Sequence, residues 1–226
     1  MTALLLCLSL LAPAAFAQDA APAEAAAPTT AAPAPAATYT VNPDKGLIYV
    51  LVLKDETTVL SSASHNHAIR AQGFSGQVTW SPDDASACKV SITVPVASLD
   101  VDPQWLRDRV GYTQKLKDSD RETIRKNMLA KDQLDASSHP NITFQSTRCS
   151  GSQGSYKVSG NLSIRGKTAP VTSVMRIEVE GGELTATGRF QTTHSAFGFE
   201  PFSALMGALK NRDELEFVMD VRANAG

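Results

Sequence analysis

The chain has 226 residues, 21 Lys and Arg against 23 Asp and Glu, and a formal net charge of −2. Neither sign of charge is in large excess, so composition gives no reason to expect a nucleic-acid partner or a strongly polyanionic substrate. The apolar fraction, 42%, is that of an ordinary globular protein, and beyond the N-terminus no run approaches the ~20 apolar residues of a membrane-spanning helix.

The N-terminus reads as a secretory signal. Residues 3–11 are almost entirely apolar, and Ala15-Phe16-Ala17 fits the small-x-small cleavage pattern before Gln18. The expected location is therefore periplasmic or extracellular. The n-region, Met1-Thr2, carries no Lys or Arg, which departs from the usual signal. Residues 18–37 are almost all Ala, Pro and Thr, and nothing aliphatic there is larger than Ala. Such a segment cannot bury a core and is expected to be an extended, disordered linker. Residues 38–226 then make about one domain.

Within that domain the strands follow one another. Residues 47–53 form a continuous apolar run that reads as a strand buried on both faces, and residues 54–56 turn the chain. Residues 65–70 read as a weak strand. Gly73, Phe74 and Gly76 bend the chain before a strand at residues 77–80. Ser81-Pro82-Asp83-Asp84 is a turn. Residues 89–99 alternate cleanly: Val90, Ile92, Val94 and Val96 take one face, Ser91, Thr93, Pro95 and Ala97 the other. A strand of that length spans roughly 35 Å, which suits a tall barrel, and Pro95 predicts a bulge or an unpaired position in it. The period then changes. Residues 103–110 predict a short helix. Ser119 to Glu122 reads as a capping box before Ile124, Met128 and Leu129 at helical spacing.

Residues 137–172 return to strand patterning. Tyr156, Val158, Gly160, Leu162 and Ile164 alternate with polar residues, the mark of a strand with one buried face. Residues 150–155 are a Gly/Ser-rich hairpin loop, residues 165–168 make the next turn, and Pro170 falls near the start of a strand. Val171, Ser173, Met175, Ile177 and Val179 continue the alternation. Gly181-Gly182 turns the chain into Leu184, Ala186, Gly188 and Phe190. Residues 197–210 read as a loop, and Leu215, Phe217, Met219 and Val221 mark the last strand. The tally is eight or nine antiparallel strands with one helical insertion near residues 103–130, an all-β up-and-down barrel whose closure removes exposed edges.

Export leaves two cysteines, Cys88 and Cys149. An even number in an oxidising compartment favours a disulfide; the alternative is two separate buried thiols. Cys88 has the parity of Val90, whereas Cys149 opposes that of Phe144. A bond between them therefore requires a bulge or a frayed strand end. His65 and His67 are two apart, and on a strand they would face the same side and could share a metal ion. No acidic residue flanks them, so a metal-dependent hydrolase is the enzyme alternative rather than the main reading. The alternating charges of residues 118–131 suit a solvated helix face.

Several short segments, in this order and spacing, resemble the YceI-like family of secreted proteins, named for binding polyisoprenoid lipids. They are Phe74-Ser75-Gly76, residues 96–100, Gln133-Leu134-Asp135, residues 139–147 from His139-Pro140-Asn141, residues 156–166, residues 168–171 and Ser195-Ala196-Phe197-Gly198. The matching pieces span most of residues 38–226. Two places depart from the family pattern: His194 and Ala196 stand where an Arg and an Asp are common, and residues 64–67 differ. The resemblance implies an elongated lipocalin-like barrel that holds a long apolar chain, such as an isoprenoid quinone tail or an acyl lipid. It implies a non-catalytic carrier or store with no other cofactor, in transient contact with a membrane. On that reading the lumen candidates are Val90, Ile92, Val94, Val96, Ile142, Phe144, Tyr156, Val158, Leu162, Ile164, Met175, Phe190, Phe217 and Met219. The competing structural reading is that these side chains simply fill the barrel.

Overall fold

The computed structural model describes residues 35–226; the expected leader at residues 1–17, and all but the end of the expected linker, lie outside them. The strands are β1 (Ala37–Val41), β2 (Leu47–Lys54), β3 (His67–Ala71), β4 (Ser75–Trp80), β5 (Lys89–Pro95), β6 (Asp100–Val101), β7 (Asn141–Ser152), β8 (Ser155–Ile164), β9 (Lys167–Glu180), β10 (Glu183–Thr193), β11 (Ser203–Ala204) and β12 (Leu209–Ala225). Helices α1 (Gln104–Arg109) and α2 (Asp118–Leu129) lie between β6 and β7. Every strand pairing is antiparallel.

The register shows how these segments make a closed barrel of eight strands. One edge of β12 pairs with β10 along the whole of β10. The other edge takes β1 near its C-terminal end, with Val41 opposite Ala223, and β2 lower down, from Leu47 opposite Asp220 to Lys54 opposite Asn211. Hence β1 and β2 are one barrel strand, interrupted at residues 42–46. β4 pairs with β1 and β3 with β2, a second interrupted strand. β5 pairs with β4 and β6 with β3, a third. The breaks are tied together: the Ser98 hydroxyl donates to the carbonyls of Gln72 and Pro95, and the Val96 N–H donates to Pro140 O at 2.8 Å.

Those breaks correct several sequence expectations. The strand expected over residues 89–99 stops at Pro95, because residues 96–98 turn in a 3-10 helix to reach Gln72 and Pro140. Pro95 sits at the strand end, opposite Asn141. β2 is half-buried along its whole length rather than sealed on both faces, because the lumen beside it is hollow. β3 starts at His67, leaving His65 in the preceding loop. The capping pair is also displaced. Lys117 precedes the first helical residue, its N–H donates to the Asp120 carboxylate at 3.3 Å, and Ser119 already lies inside the first turn. The loop expected over residues 197–210 contains β11, paired to the start of β12.

The long strands follow the period of two that their residues dictate. In β8 and β9 buried residues alternate with exposed or half-buried ones, from Tyr156 to Ile164 and from Ala169 to Ile177. β7 contains one extra residue. Its register against β8 shifts between Ser146 and Arg148, so Thr147 is bulged. The bulge turns Cys149 inward, opposite Val158, and Cys88 and Cys149 form a disulfide with an S–S distance of 2.06 Å and Cα atoms 5.8 Å apart. Both cysteines are buried. The bond closes a loop of 61 residues, so its removal should lower stability by about 2–4 kcal/mol. Urea denaturation of the oxidised protein against a Cys88→Ser/Cys149→Ser variant measures this directly; equal midpoints would mean that the bridge adds nothing to the fold.

Candidate functional site

A small barrel is normally filled by its own inward side chains. Here the lumen retains two adjoining cavities. One, of about 130 Å³, lies towards the disulfide end and is lined by Trp80, Val90, Ile92, Phe144, Val158, Leu162, Met175, Phe190 and Met219, among others. Its single hydroxyl, from Ser173, already donates to Arg189 O at 2.9 Å. The second, of about 180 Å³, lies beneath the helical insertion, with Ile124 and Met128 of α2 in its wall. Ile48, Val94, Ile142 and Phe217 line both, and Phe190 stacks on Phe217 at 4.8 Å, nearly parallel.

Inward glycines accommodate the large side chains. A Cβ at Gly160 would lie 2.5 Å from the Phe144 ring, and one at Gly188 would lie 2.4 Å from Met175 Sδ. These positions, picked out by the alternation alone, let Phe144 and Met175 lie against the wall instead of across the lumen. All the lumen candidates except Val96 and Tyr156 line one cavity or both. Val96 is buried in its 3-10 turn. Tyr156 packs edge-to-face on Trp80 at 4.5 Å and lies outside the cavity wall.

The two cavities differ in polarity. The disulfide-end cavity is almost wholly apolar, whereas the helix-end cavity also carries Tyr49, His67, Asn127, Gln133, His194 and Asn211. No Lys, Arg, Asp or Glu lines either one. Behind His67 lies a buried ionic cluster that the sequence reading did not single out. His67 Nδ1 is 2.7 Å from Asp102 Oδ2, and Arg107 of α1 donates to Asp102 Oδ1 at 2.8 Å. Asp102 also accepts from the Ala68 N–H at 2.9 Å. The rest of the Arg107 guanidinium donates to the carbonyls of Asn66 and Gln114, and it lies over the Tyr112 ring. Asp102 adopts a left-handed backbone, φ 50°, a conformation that a non-glycine residue holds only where its surroundings fix it. The only sequence sign of this cluster was the change of period after Asp100.

Burial by itself would raise the Asp102 carboxyl, but hydrogen bonds from His67, Ala68 and Arg107, with the attraction of His67, outweigh it and hold the carboxyl below its ordinary range. His194 is buried, and that pushes its imidazole below the usual value despite the hydrogen bond to Asp213. Its Nδ1 lies 2.9 Å from Asp213 O. At the family departure, then, His194 and Ser195 tie to Asp213: the Ser195 N–H donates to the Asp213 carboxylate at 2.9 Å. His65 and His67 do not converge on a point. Their rings meet edge-to-face at 5.6 Å, because His67 is turned towards Asp102. Among the described residues no group of three or more His, Cys, Asp and Glu could hold a metal ion.

The molecule is thus a closed eight-strand antiparallel barrel with a hollow, largely apolar lumen. A profile of the YceI-like domain matches residues 39–223, and the chain belongs to that family. Among solved structures it is similar to BcnA of Burkholderia cenocepacia, at 22% identity over 81% of this chain and 99% of that one, with a TM-score of 0.60. It is also similar to the YceI protein of Campylobacter jejuni, at 16% identity over 69% of this chain and 83% of that one, with a TM-score of 0.52. No curated protein matches the sequence.

His194, His65 and Asp102 set a pH dependence. Unfolded His194 and His65 take up protons near pH 6.5, whereas burial keeps their native pKa values lower. The unfolded state therefore binds more protons in that window, and stability falls as pH drops from 7 towards 5. A second loss starts below about pH 4, where unfolded Asp102 protonates before the native carboxyl. Asp102→Asn leaves the Arg107 charge buried and unpaired, and should cost about 3–5 kcal/mol at neutral pH. Thermal melts by circular dichroism across pH 3–8 test both; a flat profile between pH 7 and 5 would show that the histidines are not buried as neutral rings.

Proposed function

We propose that this barrel binds an isoprenoid or other long-chain amphiphilic lipid in its lumen, non-covalently and without catalysis, and carries or stores it in the periplasm or outside the cell. The observation that carries this reading is the unfilled lumen: two adjoining cavities, one with almost no polar surface, inside a closed barrel. Burial is the mechanism. Each CH₂ moved from water into such a lumen contributes up to ~0.8 kcal/mol, so a long chain needs few polar contacts to bind well. The cavities also weigh against a structural barrel with a filled interior. The family membership supports the reading by placing the chain among proteins named for polyisoprenoid binding.

Such cargo is insoluble, so loading and unloading require contact with a bilayer. The tip between β11 and β12 suits this. Leu205 and Met206 both have left-handed backbones and are exposed, Met206 completely. Exposed Val59 and Leu60 lie beside them, with the Leu60 N–H donating to Ala208 O at 3.0 Å. The same hairpin holds Phe202 and Asn211, which line the helix-end cavity.

Organic extraction of the purified protein, followed by mass spectrometry, is expected to release a long-chain lipid. Absence of any lipid, together with failure to take up an added prenyl quinone, would overturn the carrier reading. Ala186 lines the disulfide-end cavity, and Ala186→Trp is expected to shift preference to shorter chains in a displacement titration. At the rim, Leu205→Glu/Met206→Glu should slow lipid transfer from vesicles without changing affinity for lipid presented in detergent; unchanged transfer would remove the tip from the membrane contact.

A further inference from the structure

Two histidines in the wall of the helix-end cavity have defined ring orientations. His67 Nδ1 faces a carboxylate oxygen of Asp102, which can only accept, so Nδ1 carries the proton. His194 Nδ1 faces the carbonyl of Asp213, which also only accepts. Where the rings are neutral each Nε2 is therefore an acceptor, and the hydrogen bonds of the two rings run through Nδ1. Both histidines line this cavity. They also stand at one level of the barrel: His67 is opposite Val52, Val52 opposite Leu215, and Leu215 opposite Thr192, two residues before His194. The buried side-chain amide of Asn211 lines the same cavity.

The cavity wall also carries no Lys, Arg, Asp or Glu to pair with an ionic head. The nearest buried cation, Arg107, is neutralised by Asp102 and spends its remaining donors on backbone carbonyls. A carboxylate or phosphate placed here would lose its hydration and meet no cation to offset its charge.

We propose that the lumen binds its amphiphile in one orientation, tail towards the disulfide end and head beneath the helices, and that the head is neutral and donates a hydrogen bond to His67 or His194. A prenyl alcohol, a hydroquinone or a primary amide has this chemistry; an anionic head or one without an N–H or O–H does not. This inference rests on the carrier reading and adds to it the class of head group. A buried acceptor left dry is costly, so discrimination should be plain even between ligands with identical tails.

The test compares three ligands of the same C20 prenyl tail at pH 7.5: geranylgeraniol, its methyl ether and geranylgeranoic acid. Binding is read by displacement of a fluorescent fatty probe and by the emission of Trp80, which lines the apolar cavity. The alcohol is expected to bind about tenfold more tightly than the ether, with the acid weakest. The margin between alcohol and ether should shrink in His194→Leu or in His67→Leu, whichever removes the accepting ring, and an unchanged margin in both overturns the assignment. His194→Leu spares the Asp102 cluster and remains informative where His67→Leu does not fold. Long-range ¹H–¹⁵N spectra supply a readout that altered folding would not mimic: an Nε2 resonance of unprotonated imidazole that shifts with the alcohol and not with the ether. Equal binding of alcohol and ether to the wild-type protein overturns the head-group assignment and leaves the carrier reading standing. Failure of all three to bind overturns the carrier reading and this inference with it.

Discussion

The two-part pairing along β12 is the constraint on which the barrel depends. A single strand of 17 residues is matched on one side by the unbroken β10 and on the other by β1 and β2 in succession. Closure leaves no long unpaired edge on the ring and keeps the interior out of reach of neighbouring chains. It also fixes which residues point inward, because a one-residue slip would exchange the two faces of every strand. The hollow lumen exists only because that register is held around the whole ring.

The interruptions at residues 42–46, 72–74 and 96–99 are neighbours across the sheet, and they divide the barrel into two ends of different character. The disulfide end is a regular sheet, sealed by Trp80, Tyr156 and the Cys88–Cys149 bond. At the helix end β3 and β6 pair through only two residues each, and α2 completes the cavity wall. This is where polar groups enter: Asp102 and Arg107 come from the segment that replaces a strand. Such a buried ion pair does little net work for stability against an apolar alternative, yet breaking it is costly. Its visible role is to hold the His67 ring in one orientation, with Nδ1 against the Asp102 carboxylate. A polar end and an apolar end of the lumen thus follow from where the strands are interrupted and where they run on.

How much of this was legible depended on the range of the interactions. Strand alternation is a local property, so the inward sets of β8, β9, β10 and β12 could be read directly, Gly160 and Gly188 included. By parity a Cys88–Cys149 bond required a bulge or a frayed strand end, and the register shift at Thr147 is a bulge. Short-range punctuation was less reliable. Ser119 looked like a cap and lies within the helix, and Val96 looked like part of a strand and lies in a 3-10 turn, because carbonyls of Gln72 and Pro140 compete for that segment from elsewhere in the chain.

By itself, then, the sequence determined an all-β domain with a helical insertion, the family resemblance, and most of the residues that face the lumen, since periodicity and short motifs need no knowledge of distant neighbours. Tertiary structure alone decided that the lumen is hollow, that it has a polar end and an apolar end, and that Asp102 stands behind His67 while His194 lines the same cavity. The reason is physical: a void and a buried hydrogen bond are properties of groups brought together across the barrel, and His67, Asp102 and His194 meet there only once β3, β6, β10 and β12 have closed around them.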